Sequence, residues 1–545
     1  MRRLTKVGLA LLIAGLICLL KGSSPLATTA IAQGRNNSQQ QAQESARDAP
    51  PDTTPYARPA LPEDYAPKGI RAILPIPGGF IVDAVVNNSD PNLTNTDIFN
   101  DSETSIAVNP ANQAEIVITA FSGFWDTNAP LWHSTNGGFT WTKQFTVPSP
   151  PGVAATGCPC DQAVDYGRNN QMSGTFLAGF RADLDVYSGT STNPASAAAW
   201  NWLLIGGVTQ MTNHLVPSSF GSTDQPWLLV NPDPTTPTQD DVYAAYDDFS
   251  GGPDMRVAVS FGVNPPNFIV DNQSGTSTGG VNPGHRLAVD RQTGFVYSLF
   301  QTCVGKCAGD KNPKNINYML NRSTDGGATW ILNGMAGGII VANADSTQPT
   351  PKFGTVNALL GGVDHAAVDP NTGDVYYVYG NRDAGTSNDR LAIRRIFDNG
   401  AGGVTVGPEN FVTGQVEAAI PSVAVLSNGT VGVFYYTFDG FSSGFPIFSA
   451  HLAQSSDQGV TFSDQVLLTF LSSAMDNGEP GQRVLGDYMQ MKAVSNCFFG
   501  SFTGNGVPFG RPFANHDPIF FKVCVAARAT PTPRPRPTPA PRPSR

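Results

Sequence analysis

The 545-residue sequence predicts an all-β protein folded as a β-propeller, with seven blades as the expected number. Three observations lead to this fold class. A short apolar strand, a turn and a second strand rich in Val, Tyr and Phe recur seven times, and an eight-residue turn motif recurs three times. Helical periodicity is almost absent from the whole chain.

The N-terminal residues predict export. Residues 1–33 have the features of a signal peptide: a basic start, an apolar run from Leu9 to Leu20, and small residues for cleavage at Ala30 to Ala32. An uncleaved membrane anchor is the alternative, and either interpretation places the mature protein in secreted or cell-surface form. Residues 34–68 are rich in Gln, Asn, Ala and Pro without an apolar period, which predicts a disordered spacer.

The propeller is assigned to residues 69–527. Its seven copies are separated by roughly 55 to 80 residues, which suits four-stranded blades with long loops. The apolar runs that open the copies start at Ser105, Gln162, Leu228, Leu287, Ala366, Ser422 and Met491. The strand from Phe80 to Val86 is expected to complete the last blade and close the ring, which would remove exposed sheet edges. Six blades are the second choice, because the last copy is the least regular. A β-sandwich, or two stacked β domains, is the rival fold.

The turn motif has the pattern Ser-x-Asp-x-Gly-x-Thr-aromatic. It occurs at Ser323–Trp330, at Ser134–Trp141 with Asn in the Asp position, and at Ser455–Phe462 with Phe for Trp. The carboxylate can accept hydrogen bonds from its own turn, and the glycines permit positive φ. Each copy falls where the turn between the third and fourth strands of a blade is expected. The motif resembles the Asp-box (BNR) repeats of sialidases and the wider Asp-box propeller family, in which sialidases have six blades.

Charge and cysteines narrow the class of protein. The formal charge of −10 becomes about −19 once the nine cations of the two ends are set aside, which argues against nucleic acid as a partner. Six cysteines remain after the signal segment, an even number that favours disulfides in an exported protein. Cys497 with Cys524 is the preferred pair, and Cys303 with Cys307 would close a small loop. Cys158 and Cys160 lack zinc spacing, so no metal is expected there.

The C-terminal residues 528–545 alternate Pro with Thr, Arg and Ala, which predicts a semi-rigid polyproline II tail. Its arginines suit contact with an anionic cell wall or membrane surface. A solvated tail without a partner is an equal alternative. The protein is expected to be a monomer.

Polar residues precede each apolar run, and in a propeller these positions converge on one end of the central channel. They are Glu103, Asp161, Asp224, Gln225, His285, Arg286, Asp364, His365, Asp487 and Tyr488. The alternative is that the acids only hold the next turn through backbone hydrogen bonds. That alternative does not readily account for Arg286, His365 and Tyr488 together.

The resemblance to sialidases implies roles for some of these residues. In that family three arginines hold the carboxylate of the sugar, a Tyr assisted by a Glu is the nucleophile, and an Asp is the acid/base. By this resemblance Tyr488 would be the nucleophile with Glu417 as its base, and Asp161 or Asp224 the acid. The substrate-binding candidates are Arg286, Arg382, Arg483, His365 and Asp364. The Arg-Ile-Pro signature of the family is missing, and Arg71 to Pro75 only loosely echoes it.

The predicted function is therefore action on, or recognition of, glycans, with exo-α-sialidase-type glycoside hydrolysis as the finer hypothesis. A non-catalytic propeller that binds a glycan or protein at the cell surface is the alternative, and a glycosidase that uses two carboxylates is a third hypothesis. No cofactor is expected. Ca²⁺ at Asp240–Asp241 or Asp247–Asp248 is the alternative, and solvated loop acids are the preferred interpretation.

Overall fold

The computed structural model describes residues 73–84 and 102–526. Within the second range it leaves out 122–129, 152–159, 169, 179–184, 206–207, 210–222, 237, 250–251, 253, 279–283, 306–313, 347–363, 387, 413–416, 473–484 and 511–515. The predicted signal peptide, the spacer and the Pro-rich tail all lie outside the described residues. No helix in the described part of the chain is long and apolar enough to span a membrane.

The regular secondary structure of the described chain is almost entirely strand. It opens with β1 (Ile73–Ile76) and β2 (Gly79–Asp83). Blade 1 contains β3 (Ser102–Val108), β4 (Ile116–Phe121), β5 (Pro130–Ser134) and β6 (Thr142–Thr146). Blade 2 contains β7 (Cys160–Tyr166), β8 (Met172–Ala178), β9 (Asp185–Ser191) and β10 (Trp200–Trp202), and a small hairpin of β11 (Leu204–Ile205) and β12 (Val208–Thr209) follows. Blade 3 contains β13 (Thr223–Pro232), β14 (Asp240–Asp248), β15 (Asp254–Ser260) and β16 (Val270–Thr276).

The second half of the ring repeats the same unit. Blade 4 contains β17 (Arg286–Val289), β18 (Val296–Cys303), β19 (Lys314–Ser323) and β20 (Ile339–Ser346). Blade 5 contains β21 (His365–Val368), β22 (Val375–Arg382), β23 (Asp389–Asp398) and β24 (Val404–Phe411). Blade 6 contains β25 (Ala418–Val425), β26 (Val431–Ser442), β27 (Phe445–Ser455) and β28 (Ser463–Leu471). The last strands are β29 (Gln490–Val494), β30 (Cys497–Gly504) and β31 (Asp517–Cys524), and three 3₁₀ turns lie at Ala197–Ala199, Gly400–Gly402 and Val507–Phe509.

Seven antiparallel sheets form the blades, so the prediction of a seven-bladed propeller is confirmed and the six-bladed alternative is wrong. The seven apolar runs predicted to open the copies all lie on the innermost strands β3, β7, β13, β17, β21, β25 and β29. Blade 7 has the order β1-β2-β31-β30-β29, in which the N-terminal β2 pairs with the C-terminal β31. The predicted closure of the ring by the strand near Phe80 is therefore confirmed.

Each innermost strand is buried on both faces. Seven large apolar clusters occupy the seven interfaces between blades, from blades 1 and 2 round to blades 7 and 1. Successive residues of an inner strand alternate between the two interfaces: Ile106 packs towards blade 7 and Ala107 towards blade 2. This double burial explains why the inner strands read as continuous apolar runs rather than as apolar–polar alternation.

The free edges of the inner strands are joined by side chains of neighbouring blades. Gln490 of blade 7 accepts from the N–H of Ile106 in blade 1 at 2.9 Å, and Ser105 of blade 1 accepts from that of Val164 in blade 2 at 3.0 Å. Equivalent bonds join Asp165 to the Val230 N–H, His365 to the Val423 N–H, and Ser422 to the Met491 N–H. Because a buried backbone donor needs a partner, these bonds fix the height of one blade relative to the next.

The three repeated turns lie between the third and fourth strands of blades 1, 4 and 6, as predicted. In the second copy, the Ser323 hydroxyl and the Thr329 N–H donate to one oxygen of Asp325 at 2.8 and 2.9 Å, and the Thr329 hydroxyl donates to the other at 2.6 Å. The aromatic that ends each copy, such as Trp330, packs into the interface with the preceding blade. The motif therefore joins one blade to the previous one.

The Asp325→Ala variant is expected to lower the free energy of unfolding by about 1–2 kcal/mol, because three turn donors lose their acceptor. The Asp325→Asn variant is the matched control and should be nearly neutral. Asn136 occupies the same position in blade 1, where it accepts from the Thr140 N–H at 3.0 Å and donates to the Thr140 hydroxyl at 2.7 Å. Urea unfolding of the three proteins measures the effect, and equal losses for Ala and Asn would contradict it.

The structure also bears on the predictions made for the cysteines and for the acids of β14. Cys497 and Cys524 form a disulfide between paired positions of β30 and β31, as predicted. Cys303 is also disulfide-bonded, and Cys307 lies outside the described residues. The interpretation of Asp241 and Asp247 as solvated loop acids is wrong: both lie in β14 and are fully buried, because this strand packs on both sides.

Candidate functional site

The innermost strands all run in one direction, so their first residues gather at one end of the channel, which we call the upper end. Irregularities in the backbone direct the side chains of these residues towards the channel axis. Bulges interrupt the pairing of β3 between Ser102 and Ser105, of β7 between Cys160 and Gln162, and of β13 between Asp224 and Trp227. Non-glycine residues with positive φ lie in two of them, Glu103 at 51° and Gln225 at 52°. Bulges of this kind re-aim side chains and are common beside functional sites.

A cationic and aromatic plug crosses the channel axis. The Arg286 guanidinium lies 4.6 Å from the ring centre of Trp227 and 5.0 Å from that of Tyr488. The Trp227 ring also meets His365 edge-on at 5.5 Å. Because blades 3, 5 and 7 are not neighbours in the ring, these contacts can form only across the axis. We call Arg286, Trp227, His365 and Tyr488 the plug, and all four are buried.

The guanidinium is held by hydrogen-bond acceptors as well as by the rings. One NH group of Arg286 donates to the backbone carbonyl of His285 at 2.8 Å, and another donates to the Gln225 side-chain oxygen at 2.9 Å. Gln225 in turn donates to Asp487 at 3.3 Å. Arg286 is therefore fixed at the centre of the upper end as a counter-charge for the acids around it.

Asp161 and Asp224 are the central acidic pair. Both side chains are buried, and their carboxyl groups lie within hydrogen-bonding reach of one another. Burial, followed by the charge and hydrogen bond of Asp161, raises the pKa of Asp224 well above its ordinary value. Two carboxylates in contact cannot both be ionised at little cost, and Asp224 is the member of the pair whose protonated form the site favours. Among the described residues, no other group donates to either oxygen of Asp161.

Two more acids surround this pair. Asp247 lies directly opposite Asp224 in the register of β13 and β14. Burial raises the pKa of Asp247 well above its ordinary value, against the lowering effect of Arg286. Asp364 accepts from the Gln301 amide and the Tyr377 hydroxyl, each at 2.7 Å, and burial raises its pKa to about 6. The upper end thus holds several acids whose pKa values are raised by burial.

The pH dependence of stability tests this arrangement at Asp364. A carboxyl group whose pKa is raised from 3.8 to about 6 by folding binds its proton more tightly in the folded state. Its contribution to stability is therefore present at low pH and is lost as the pH rises through that window. The unfolding free energy of the wild type, taken relative to Asp364→Asn, should fall by about 2 kcal/mol between pH ~4 and ~6. Urea unfolding of both proteins from pH 4 to 8 measures this difference, and a flat difference would contradict it.

The two histidines of the upper end are neutral. Burial lowers the pKa of His285 and of His365 to about 3. His365 Nδ1 accepts from the Val423 N–H at 3.2 Å, so the proton of the neutral ring is on Nε2. His285 Nδ1 faces the Tyr246 carbonyl at 3.2 Å and therefore carries the proton, which leaves Nε2 to accept from Ser298 at 2.8 Å.

The structure brings Asp161, Asp224, Arg286, Asp364, His365 and Tyr488 together. The Tyr488 hydroxyl accepts from the Gln162 N–H at 2.8 Å, and burial together with Asp161 and Glu103 raises its pKa well above the ordinary value. Glu417 faces blade 5, where it accepts a hydrogen bond from the Asp389 N–H and interacts electrostatically with Arg382. Arg483 lies outside the described residues. The roles that the resemblance implies for these residues stay predictions.

Sequence reasoning missed Trp227 as part of the upper end and assigned Asp247 to a loop. Trp227 follows Asp224 by three residues, and only the bulge in β13 decides that its ring crosses the axis. Asp247 reaches the site through cross-strand register, which the sequence does not display. The sequence did contain one indication of this contact: Asp224 stands near the start of one strand, and Asp247–Asp248 stand at the end of the next strand, which pairs with it. No group of three or more His, Cys, Asp or Glu in the described chain has the geometry to hold a metal ion.

Fold and site together define a seven-bladed β-propeller with a buried carboxylate cluster around one arginine. No family model and no curated protein matches the chain. It is similar to the solved structure of an exo-1,5-α-L-arabinanase from a bovine ruminal metagenomic library, with 13% identity and a TM-score of 0.33 over 57% of this chain and 97% of that one.

Two other solved structures are similar at the same level. One is a protein of unknown function from Dyadobacter fermentans DSM 18053, with 13% identity and a TM-score of 0.37 over 67% of this chain and 94% of that one. The other is an α-L-arabinanase of Cellvibrio cellulosa complexed with arabinohexaose, with 10% identity and a TM-score of 0.31 over 56% of this chain and 95% of that one. At this level of similarity, function has to be argued from the residues of this chain.

Proposed function

We propose that this propeller hydrolyses glycosidic bonds of neutral glycans, with Asp224 as the general acid and Asp161 as its carboxylate partner. The observation that carries the proposal is the contact between these two buried carboxyl groups, which together with burial raises the pKa of Asp224. Glycoside hydrolysis needs a carboxyl group that keeps its proton until the leaving oxygen takes it. Asp224 would give its proton to the glycosidic oxygen as the bond from that oxygen to the anomeric carbon breaks, and water would add to that carbon. Asp161 raises the pKa of the acid and does not attack the sugar, since two carboxyl groups in contact are closer than the roughly 5 to 10 Å that separates the two carboxylates of a glycosidase.

The local charge favours a neutral sugar over an anionic one. Among the described residues, Asp161, Asp224, Asp247 and Asp364 surround Arg286, whose guanidinium is stacked on two rings and hydrogen-bonded inside the protein. Such a site stabilises the positive charge that develops on a sugar ring in the transition state. It repels the carboxylate of a sialic acid, which needs a cluster of free guanidinium groups.

Exo-α-sialidase-type hydrolysis is the second candidate, and the three repeated turns favour it through their resemblance to sialidase repeats. That mechanism would need Tyr488 as the nucleophile and further arginines, such as Arg382 and Arg483, beside Arg286. A non-catalytic glycan-binding propeller is the third candidate. Export to an oxidising compartment is part of the proposal, and the Cys497–Cys524 disulfide supports it.

The test is a panel of fluorogenic glycosides incubated with the full-length protein between pH 4 and 8. The panel contains neutral hexosides and pentosides and one α-sialoside. Turnover of a neutral glycoside, with no turnover of the sialoside, is the expected result. Turnover of the sialoside alone would replace the proposal with the sialidase mechanism. Glycan-array binding without any turnover would favour the non-catalytic candidate.

A further inference from the structure

The lower half of the channel, on the opposite side of the plug from the acids, is a separate cavity of about 220 Å³. Its walls come from the middle and final parts of the inner strands, and Leu229, Val289, Val368, Val425 and Met491 are typical wall residues. All of the lining residues belong to the described chain. The catalytic proposal makes no use of this space, because the acidic pair is not among the residues that line it.

Three buried side chains that line the cavity have N–H groups without an acceptor in the described chain. They are Trp227 Nε1, His365 Nε2 and Gln490 Nε2. The proton of His365 is on Nε2 because Nδ1 accepts from Val423. The Gln490 amide is oriented by Ser105 and Ile106, which both donate to its oxygen, so its nitrogen is left as the donor. Buried donors of this kind require an acceptor.

The charged side chains along the cavity, like the unpaired donors, favour a negatively charged ligand. The Lys492 ammonium donates to Asp165 at 3.2 Å, and Asp165 also accepts from the backbone N–H groups of Tyr166 and Val230 at 3.1 and 3.0 Å. The only lining acid is thus already engaged by three donors. Arg291 is exposed at the lower rim and adds a second cation. Side chains therefore supply donors and a net positive charge, while the wall is aliphatic.

We propose that the lower channel is a binding site for a small monocarboxylate with a short aliphatic chain. The carboxylate accepts from the Trp227 and His365 N–H groups at the plug, and the aliphatic chain lies against the apolar wall. Arg291 attracts the anion to the lower mouth. The site does not depend on glycosidase activity, because it lies on the other side of the plug from Asp161 and Asp224.

Calorimetric titration of the full-length protein with butanoate at pH 7 and constant ionic strength tests the proposal. Saturable binding of one butanoate per chain is expected, with no binding of n-butylammonium, which has the same aliphatic body and the opposite charge. Trp227→Phe removes one donor to a charged group and should weaken binding by about 10- to 100-fold. Trp227→Phe must first show wild-type circular dichroism to be interpreted.

Arg291→Gln should weaken butanoate binding a few-fold. Because Arg291 is exposed, this test can be interpreted even if Trp227→Phe does not fold. Arg168→Gln is its control, because Arg168 pairs with Asp240 and does not line the cavity. Equal affinity for butanoate and butylammonium, or no binding of either, would overturn the proposal. So would binding of chloride without butanoate, or unchanged affinity in a folded Trp227→Phe together with unchanged affinity in Arg291→Gln.

Discussion

The Asp224→Asn variant should hydrolyse a neutral glycoside about 10²- to 10⁴-fold more slowly than the wild type, because the proton that the leaving oxygen needs is gone. Folding should persist. Asn is nearly isosteric with Asp, and its amide oxygen can still accept from the Gln225 N–H, which now donates to Asp224 at 2.8 Å. The loss should appear in kcat and in kcat/KM alike, since the proton is transferred in the transition state.

The control for this experiment is Asp457→Asn in the turn of blade 6. Asp457 is bonded to Ser455 and Thr461 on the lower face, and blade 1 carries Asn at the equivalent position. Its turnover should equal that of the wild type. The pH profile gives a second readout: the wild type should lose activity at alkaline pH as the acidic pair ionises. Full turnover in a folded Asp224→Asn would exclude Asp224 as the general acid.

The Arg286→Met variant should lose about 3–5 kcal/mol of unfolding free energy at pH 7, because the buried acids lose their central counter-charge. The loss should be smaller at low pH. Without the guanidinium, the pKa values of Asp247 and Asp364, which Arg286 lowers, rise further. Acids whose pKa is raised by folding stabilise the folded state when protonated and destabilise it as the pH rises.

The comparison variant is Arg256→Met. Arg256 donates to Asp271 at 3.1 Å and to the Tyr246 hydroxyl at 3.0 Å, but its side chain is 26% exposed, so water can compensate for part of the loss. Urea unfolding at pH 5 and pH 8 should show a large, pH-dependent loss for Arg286→Met and a smaller loss for Arg256→Met. Equal losses that do not vary with pH would show that Arg286 is not the counter-charge of the acids.

The sequence by itself determined the fold, the number of blades and the end of the channel where polar residues gather. It could do so because each blade repeats the same local information: an apolar strand that is buried on both faces, a turn and a second strand. The copy that starts at Met491 is the least regular, and it still forms the inner strand of blade 7. The repeated turns were placed correctly because their hydrogen bonds join residues at most four positions apart.

Only the tertiary structure decided which polar residues meet and what their charges become. The bulge between Asp224 and Trp227 sends the tryptophan ring across the axis, and cross-strand register brings Asp247 beside Asp224. The raised pKa of Asp224 arises from burial and from Asp161, a residue of another blade. Hydrogen bonds within a turn are set by nearby residues, whereas burial and electrostatic coupling depend on groups that closure of the ring brings together. The sequence therefore located the upper end, and the closed ring determined its chemistry.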